Sequence, residues 1–415
     1  MLIVDATKTR SGSRFFTVPV VTLIALTFLL GLSEFIVVGV MQPIASDMRV
    51  SLAAIGSLVS AFALVYAPMT PIGAAVSAKF NRFHALMAMT GIFLAGNVLC
   101  AFALNYPMLL VGRIVIATVS GPLVAVPMTF APDLVGASDR PRFMSWIFSG
   151  ISIAAVFGVP IGTFIAQQFG WRWSFHLINL LTVLVIISML RCLPRTSYMT
   201  GATRFLPQFR LFTDVRVWCG MLAVVFGAAA TYSFYTYLSP ILTEEIGVPE
   251  RYLSLALTAI GLAALWSNLY SGKLAARGTG SHPIIGLIPL YLLQAVCLAV
   301  LPFASIIPAL GAVDLLALAC LMYLQNSPSQ VLHTAIAAER FPSSMTLASS
   351  MNAMAFNIGI TLGSTISGLA MTHLGLRWLG LFGAVLALGS VGVLVLLKRA
   401  ESRDITRWTT LFLNR

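Results

Sequence analysis

The sequence predicts an all-α membrane protein, twelve transmembrane helices arranged as two pseudo-symmetric six-helix bundles, on three observations. Only 9% of the 415 residues are Asp, Glu, Lys or Arg while 59% are hydrophobic, against roughly a quarter charged in a soluble domain. Apolar stretches of about twenty residues, the length a helix needs to cross a bilayer core, recur from Val18 to Leu397 with short polar interruptions. The two halves of the chain also repeat glycine and Arg-Trp patterns at a near-constant displacement.

The expected spans are 18 to 44, 53 to 77, 85 to 104, 107 to 131, 143 to 168, 174 to 193, 217 to 242, 252 to 275, 284 to 304, 308 to 335, 344 to 372 and 376 to 397. Apolar runs such as Leu180 to Leu190 do not alternate, as the short strands of a membrane barrel would. A net charge of +12 raises the question of nucleic acid, and its placement answers it. Threaded with the N-terminus in the cytoplasm, twenty of the 25 Lys and Arg fall on the cytoplasmic side. Only Arg49, Arg172, Arg251 and Arg377 fall outside, and Arg113 lies within a span. This asymmetry is the topology signal of a multi-pass protein with both termini cytoplasmic, so the partner implied is a lipid bilayer and not nucleic acid.

The first apolar run is too long for a signal-peptide core and lacks a clear cleavage site, so it stays as the first helix. The five cysteines, Cys100, Cys192, Cys219, Cys297 and Cys320, lie in separate spans without CxxC spacing, which offers neither a metal site nor a disulfide framework. No pair of histidines has metal-ligand spacing. There is no GxxxxGK[ST] loop to cradle a nucleotide, so no cofactor is expected and the chain is not expected to be an enzyme. Energy should come from an ion gradient. In the tail, Ile405, Trp408, Leu411 and Phe412 recur at helical spacing among basic residues, the pattern of a helix lying on the inner leaflet.

The longest cytoplasmic connection contains Arg195, Arg204, Arg210 and two prolines and divides the spans six and six. The expected organisation is therefore an N-terminal segment 1–17, a bundle 18–193, a linker 194–216, a second bundle 217–397 and a tail 398–415. Duplication is visible on either side. Gly158-Val-Pro160-Ile-Gly162 is followed by FGWRW, and Gly359-Ile-Thr-Leu-Gly363 by LGLRW. The glycine pairs are displaced by 201 residues and Arg172 and Arg377 by 205. Small residues are common wherever membrane helices pack closely, so the glycines gain weight from the Arg-Trp turn that follows each pair.

These blocks resemble the major facilitator superfamily, and within it the drug:proton antiporter branch that includes bacterial sugar, arabinose, purine-nucleoside and chloramphenicol exporters. The similarity runs from Leu30 to Leu397 and is carried by GLSEFIVVGVMQPIA, GRIVIATVSG, GVPIGTFIAQQFGWRWSF, FYTYLSPILTEEIG and ASSMNAMAFNIGITLG. It implies the major facilitator fold, two bundles rocking about a central cavity lined by helices 1, 4, 7 and 10, in a bacterial inner membrane. The family's antiporter motif on helix 5 matches at Gly158, Pro160 and Gly162, which implies close approach at the bundle interface. In the family's helix 2–3 gate loop the glycine positions hold Ala74 and Asn81 and the acidic position holds Ala78, while Lys79 and Arg82 remain. The copy between helices 8 and 9 keeps Gly272 and places Ala276 before Arg277. The gate is expected to be held another way, or less firmly.

Three ionisable residues fall inside spans that this fold places around the cavity: Glu34, Arg113 and Asp314. Each costs several kcal/mol to insert at the bilayer centre, about 2.5–3.5 on insertion scales, and is a functional candidate by default. Glu34 is the candidate for proton coupling, because a carboxyl group in a poorly solvated cavity can trade its proton near the working pH; the alternative is a structural, hydrogen-bonded carboxylate. Arg113 matches the family's helix-4 arginine and could hold Glu34 ionised in one state, or simply bond helix carbonyls. Asp314, displaced from Arg113 by 201 residues, is its symmetry-related charge partner or a group at the headgroup boundary. A second acid found in some relatives is here Gln42.

Tyr232 and Tyr235 lie near one face of helix 7 and suit flat or amphipathic cargo, or form an interfacial belt. Gln330, Asn352 and Asn357 could bond sugar or nucleobase groups, or neighbouring helices. The expected activity is proton-coupled efflux of a sugar-like metabolite or an amphipathic drug by alternating access, by a monomer whose partners are protons and a small-molecule substrate. An importer using the same proton site, or a transporter-like sensor with little flux, stays open.

Overall fold

The computed structural model describes residues 15–77, 79–195, 208–277 and 282–413. Among these, twelve helices are long and apolar enough to cross a membrane: α1 Val18–Gly39, α2 Leu52–Ser77, α3 Arg82–Ala101, α4 Tyr106–Met128, α5 Ala137–Phe169, α6 Trp171–Cys192, α7 Val215–Tyr235, α8 Glu250–Ala275, α9 Pro283–Ala304, α10 Pro308–Arg340, α11 Leu347–Leu374 and α12 Leu376–Arg399. The expected N-terminal segment and the linker interior fall largely outside the described residues. So do the side chains of the tail, although its backbone continues as helix to Leu413.

Several spans expected to be continuous are interrupted. Helix α1 stops at Gly39, and the chain resumes as Met41–Met48 after a kink at Val40. Helix α7 stops at Tyr235, short of the expected 242, and is followed by Leu238–Pro240 and a π-turn, Ile241–Glu245. Helix α5 holds a second π-turn at Ala154–Gly158, immediately before Pro160, whose missing N–H and bulky ring prevent a regular i→i−4 bond there. Span α10 is two helices, Pro308–Leu321 and Asn326–Arg340, whereas its counterpart α4 is unbroken.

Equivalent bonds in the two halves express the duplication. Arg172 donates to the carbonyl of Ala103 at 2.8 Å, just beyond the end of α3, and Arg377 donates to the carbonyl of Pro302 at 2.8 Å, in the last turn of α9. Each arginine satisfies a carbonyl at a helix C-terminus, which explains why the Arg-Trp turn recurs in both copies. Ser33 of α1 bonds Asn97 of α3 at 2.8 Å, and Thr231 of α7 bonds Gln294 of α9 at 3.0 Å.

The halves meet along α2 with α11, α5 with α8, and the ends of α1 with α7. Ser60 bonds Ser364 at 2.8 Å, Ser254 donates to the carbonyl of Pro160 at 2.8 Å, and Ser239 donates to the carbonyl of Val38 at 2.7 Å. Gln42 donates to Thr243 at 2.8 Å and to Glu244 at 2.9 Å. Positions 38 and 239, like 42 and 243, differ by the repeat displacement of 201, so these contacts straddle the pseudo-twofold axis itself. Cross-half bonds reach inward as far as Asn268 to Ser152 at 3.2 Å. Near the basic end, Arg82 bonds Asp133 and the carbonyl of Thr129, and Asp214 bonds Arg216 and Arg340, each of these links within one half. The bonds of Ser239 and Gln42 across the axis seal the end opposite the basic loops.

Candidate functional site

Glu34 lies on α1, six residues before the kink at Val40. Its neighbours from both halves enclose a small cavity lined by Phe35, Val59, Phe62, Arg113, Tyr232 and Ile360, among others. Arg113, fully buried, reaches across from α4 and donates to the main-chain carbonyls of Ser33 and, at 3.1 Å, of Glu34. Its guanidinium lies 4.3 Å from the centre of the Phe62 ring. A buried cation is tolerable when its terminal nitrogens are bonded and its face is covered by an aromatic ring; the Arg113 Nε has no partner among the described residues. Arg113 therefore grips the backbone that carries Glu34, and its donors do not reach the Glu34 carboxyl group; among the described residues none hydrogen-bonds those oxygens.

Beside the acid runs a chain of aromatic rings. Tyr232 and Tyr235 have centroids 5.4 Å apart, Tyr235 meets Phe35 at 6.5 Å, and Tyr232 meets Phe356 at 5.8 Å. Phe356 in turn stacks on Tyr323 at 5.8 Å. Tyr323 belongs to the non-helical stretch of α10, where its backbone N–H finds the Ser267 hydroxyl at 3.0 Å. Irregular backbone at membrane depth needs such an internal partner, and α8 supplies it. Asn326, at the start of the second α10 segment, bonds Asn268 at 3.1 Å.

Of the residues expected at the site, Glu34, Arg113, Tyr232 and Tyr235 are brought together. The others go elsewhere. Gln42 belongs to the sealed end. Asn352 accepts from Ser329 at 2.6 Å and Gln330 donates to the carbonyl of Ser349 at 3.1 Å, both joining α10 to α11. Asn357 donates back to its own helix at 3.0 Å and leaves its carbonyl oxygen buried without a partner among the described residues. Asp314 faces Cys297 of α9 and is not in an ion pair with Arg113.

The glycines require a correction of detail. Gly158 and Gly162 pack α5 on Leu32 and Ile36 of α1, and Gly359 and Gly363 pack α11 on Val225 to Ala229 of α7. They tighten each bundle, and it is the Pro160 carbonyl and the π-turn that face the other half. In the gate loops, Arg82 pairs with Asp133, on the short helix Ala131–Leu134 that follows α4, and lies over the Phe130 ring. Lys79 is exposed, Gly272 has open space beside it, and Arg277 bonds the Tyr270 hydroxyl at 3.1 Å.

Phe35, Phe62, Tyr323 and Phe356 were not anticipated from the sequence. In apolar spans an aromatic residue is unremarked, and the break in α10 has no glycine to announce it. Only Pro328, shortly after, was a signal.

The profile of the Major Facilitator Superfamily matches residues 23–331 and, again, 221–408, so residues 221–331 fall in both matches. The chain is 32% identical over 378 residues to the uncharacterized MFS-type transporter YtbD of Bacillus subtilis, covering 91% of this chain and 94% of the relative. It is 27% identical to YbcL of the same organism, over 87% and 92% of the two chains. The fold matches a bacterial homologue of the lysosomal transporter Spinster in an inward-facing, occupied conformation, with a TM-score of 0.75 at 17% identity over 92% and 96% of the chains. It also matches a mutant of the nucleoside transporter NupG, with a TM-score of 0.70 at 15% identity over 92% and 99%. Two halves built on one pattern, meeting around a buried acid and matched along nearly their whole length, place this chain in the major facilitator superfamily, as a multi-pass membrane transporter.

Proposed function

We propose that the protein is a proton-coupled exporter of a small organic molecule in a bacterial inner membrane, with both termini in the cytoplasm, working by alternating access with Glu34 as the coupling acid. The basic end is then cytoplasmic, and the sealed end is periplasmic. The observation that carries the reading is the position of Glu34. Its carboxyl group has no bonding partner among the described residues and lies in the cavity between the halves, where the state of the seal decides which side of the membrane can reach it. Arg113 holds the peptide units of residues 33 and 34, so the acid is presented from a fixed backbone. Proton and cargo would compete for one group, and an inward proton gradient would drive cargo out.

The test is transport in vesicles with an imposed pH gradient. Gradient-driven flux of a cargo by the wild type and its loss in Glu34→Gln, with downhill exchange retained, is the expected result. Gradient-driven flux that survives in the variant refutes Glu34 as the coupling site.

A further inference from the structure

We infer that the second bundle holds an ordered water at the break of α10, in a small polar cavity separate from the one around Glu34. The inference depends neither on the cargo nor on the direction of transport.

The break itself creates the demand. Between Leu321 and Asn326 the main chain leaves the helix, and the turns that replace it are held by long bonds, Met322 to the carbonyl of Ala319 at 3.4 Å and Leu324 to that of Leu321 at 3.5 Å. Pro328 has no N–H, so the carbonyl of Leu324 receives no donor from four residues on, where a helix would supply one. Irregular main chain at this depth must find partners inside the protein. Ser267 of α8 serves the amide of Tyr323 on one side, and the other side faces α7 and α9.

On that second side lies a cavity with about 10 Å³ of room for the centre of a water molecule, bounded by Gly227, Tyr291, Gln294, Met322, Leu324 and Gln325, among others. Gln325 is only 3% exposed. Its amide oxygen accepts from the Tyr291 hydroxyl, and its amide nitrogen has no hydrogen-bond partner among the described residues. A buried donor left in that condition is costly. Gly227 makes the room: an added Cβ there would stand 2.6 Å from the Tyr291 hydroxyl oxygen, and closer still to the Gln325 amide oxygen.

The first half has nothing comparable at this place. At the repeat displacement of 201, Leu324 and Gln325 answer to Leu123 and Val124 of α4, which is unbroken and buries both as apolar side chains. A continuous helix bonds its own main chain there, and a valine asks for no partner. The break and the buried amide occur together in the second half, each leaving a polar group for the same neighbour to satisfy.

The chemistry selects water. The lining residues carry no charge, so a metal ion or an ammonium group would be buried without a counter-charge. What the site offers is mixed: a donor at the Gln325 nitrogen, and acceptors at the Leu324 carbonyl and the Tyr291 oxygen. One water accepts from the first and donates to the other two, and a space of this size admits no organic molecule. Tyr323, two residues before Gln325, stacks on Phe356 in the aromatic cluster beside Glu34. The water therefore stands behind the stretch that carries a residue of the central site. Water inserted in an interrupted helix changes partners readily, and it lets that stretch shift as the halves rock without stranding the amide.

The test is X-ray radiolytic footprinting of the purified full-length protein, read by mass spectrometry. Brief irradiation makes hydroxyl radicals from water in place, so a buried side chain is oxidised only where a water lies against it. Met322, 1% exposed, lines the cavity, whereas Met189 and Met351 are fully buried away from it. Met322 should be oxidised several-fold faster than either. Gly227→Ala, which fills the cavity, and Gln325→Leu, which removes the amide, should each bring Met322 down to the rate of the two reference methionines while leaving oxidation of Tyr235 unchanged. A wild-type Met322 as slow as Met189 and Met351 overturns the inference without relying on any variant to fold. Fast oxidation of Met322 that persists in both variants also overturns it.

Discussion

Replacing Gly56 with alanine should push the transporter toward the state open at the sealed end. The break after α7 turns the Tyr237 side chain sideways into a slot between α2 and α11, where it is fully buried and its hydroxyl has no hydrogen-bond partner among the described residues. The slot exists because both walls lack a Cβ. An added Cβ at Gly56 would stand 2.1 Å from the Tyr237 hydroxyl oxygen and 2.6 Å from Cζ, and one at Gly368 would stand 3.1 Å from the same oxygen. Overpacking of this kind costs about 1–3 kcal/mol, and the cost falls on the sealed state only, since the slot separates when α2 parts from α11. A bias of that size shifts a two-state equilibrium by roughly 5–150-fold. Tyr237→Phe should act in the opposite direction, because it removes a buried, unpaired hydroxyl that penalises the sealed state by about 1–3 kcal/mol. The assay is labelling of a single cysteine at position 59, on the cavity wall, by a membrane-impermeant maleimide added at the sealed side, with the five native cysteines replaced. Labelling should rise in Gly56→Ala, rise less in Gly368→Ala, fall in Tyr237→Phe and be partly restored in the Gly56→Ala, Tyr237→Phe double variant. Unchanged labelling in Gly56→Ala, or faster labelling in Tyr237→Phe, would show that Tyr237 is filler and not part of the gate.

Three further outcomes are expected. Ser267→Ala removes the partner of the Tyr323 amide and should lower the stability of the second half by about 1–3 kcal/mol; an unchanged melting temperature would mean that another group supplies the bond. Gly363→Ala should be worse than Gly162→Ala in yield and melting temperature, because its Cβ would meet the backbone oxygen of Ala229 at 2.2 Å, whereas at Gly162 the obstacle is the end of the Ile36 side chain at 2.1 Å, which can rotate. Asp214 lies before α7. Burial alone would raise its pKa, but hydrogen bonds from Arg216 and the charges of Arg216 and Arg340 outweigh that effect and hold it below the ordinary value. Its stabilisation is therefore full above the unfolded-state pKa and is lost as pH falls through the lower, folded one. Melting curves of the wild type should lose stability over that acid range, and Asp214→Asn should be less stable at neutral pH and flatter on acidification.

Local chemistry fixed much of this protein before any folding. A composition nearly free of charge leaves lipid as the only compatible solvent, and helices of bilayer length are how a backbone satisfies itself there; hence twelve spans could be read off hydropathy alone. Duplication was legible because equivalent positions face equivalent tasks, as Arg172 and Arg377 do at the ends of α3 and α9. Glu34 and Arg113 could be singled out because an ionisable group in a membrane span is conspicuous. Tertiary structure decided the rest, because it depends on direction and not on identity. Gln42 and Glu34 are two turns apart in sequence, yet the kink at Val40 sends one to the seal and leaves the other in the cavity. Asp314 and Arg113 are symmetry mates by number, but one faces Cys297 and the other the α1 backbone. Phe356 and Tyr323 are ordinary aromatic residues until α10 breaks and stacks them. Hydropathy registers which solvent a side chain prefers, whereas a site is made by where helices bend and which faces they turn to one another, and those are settled only when distant segments pack.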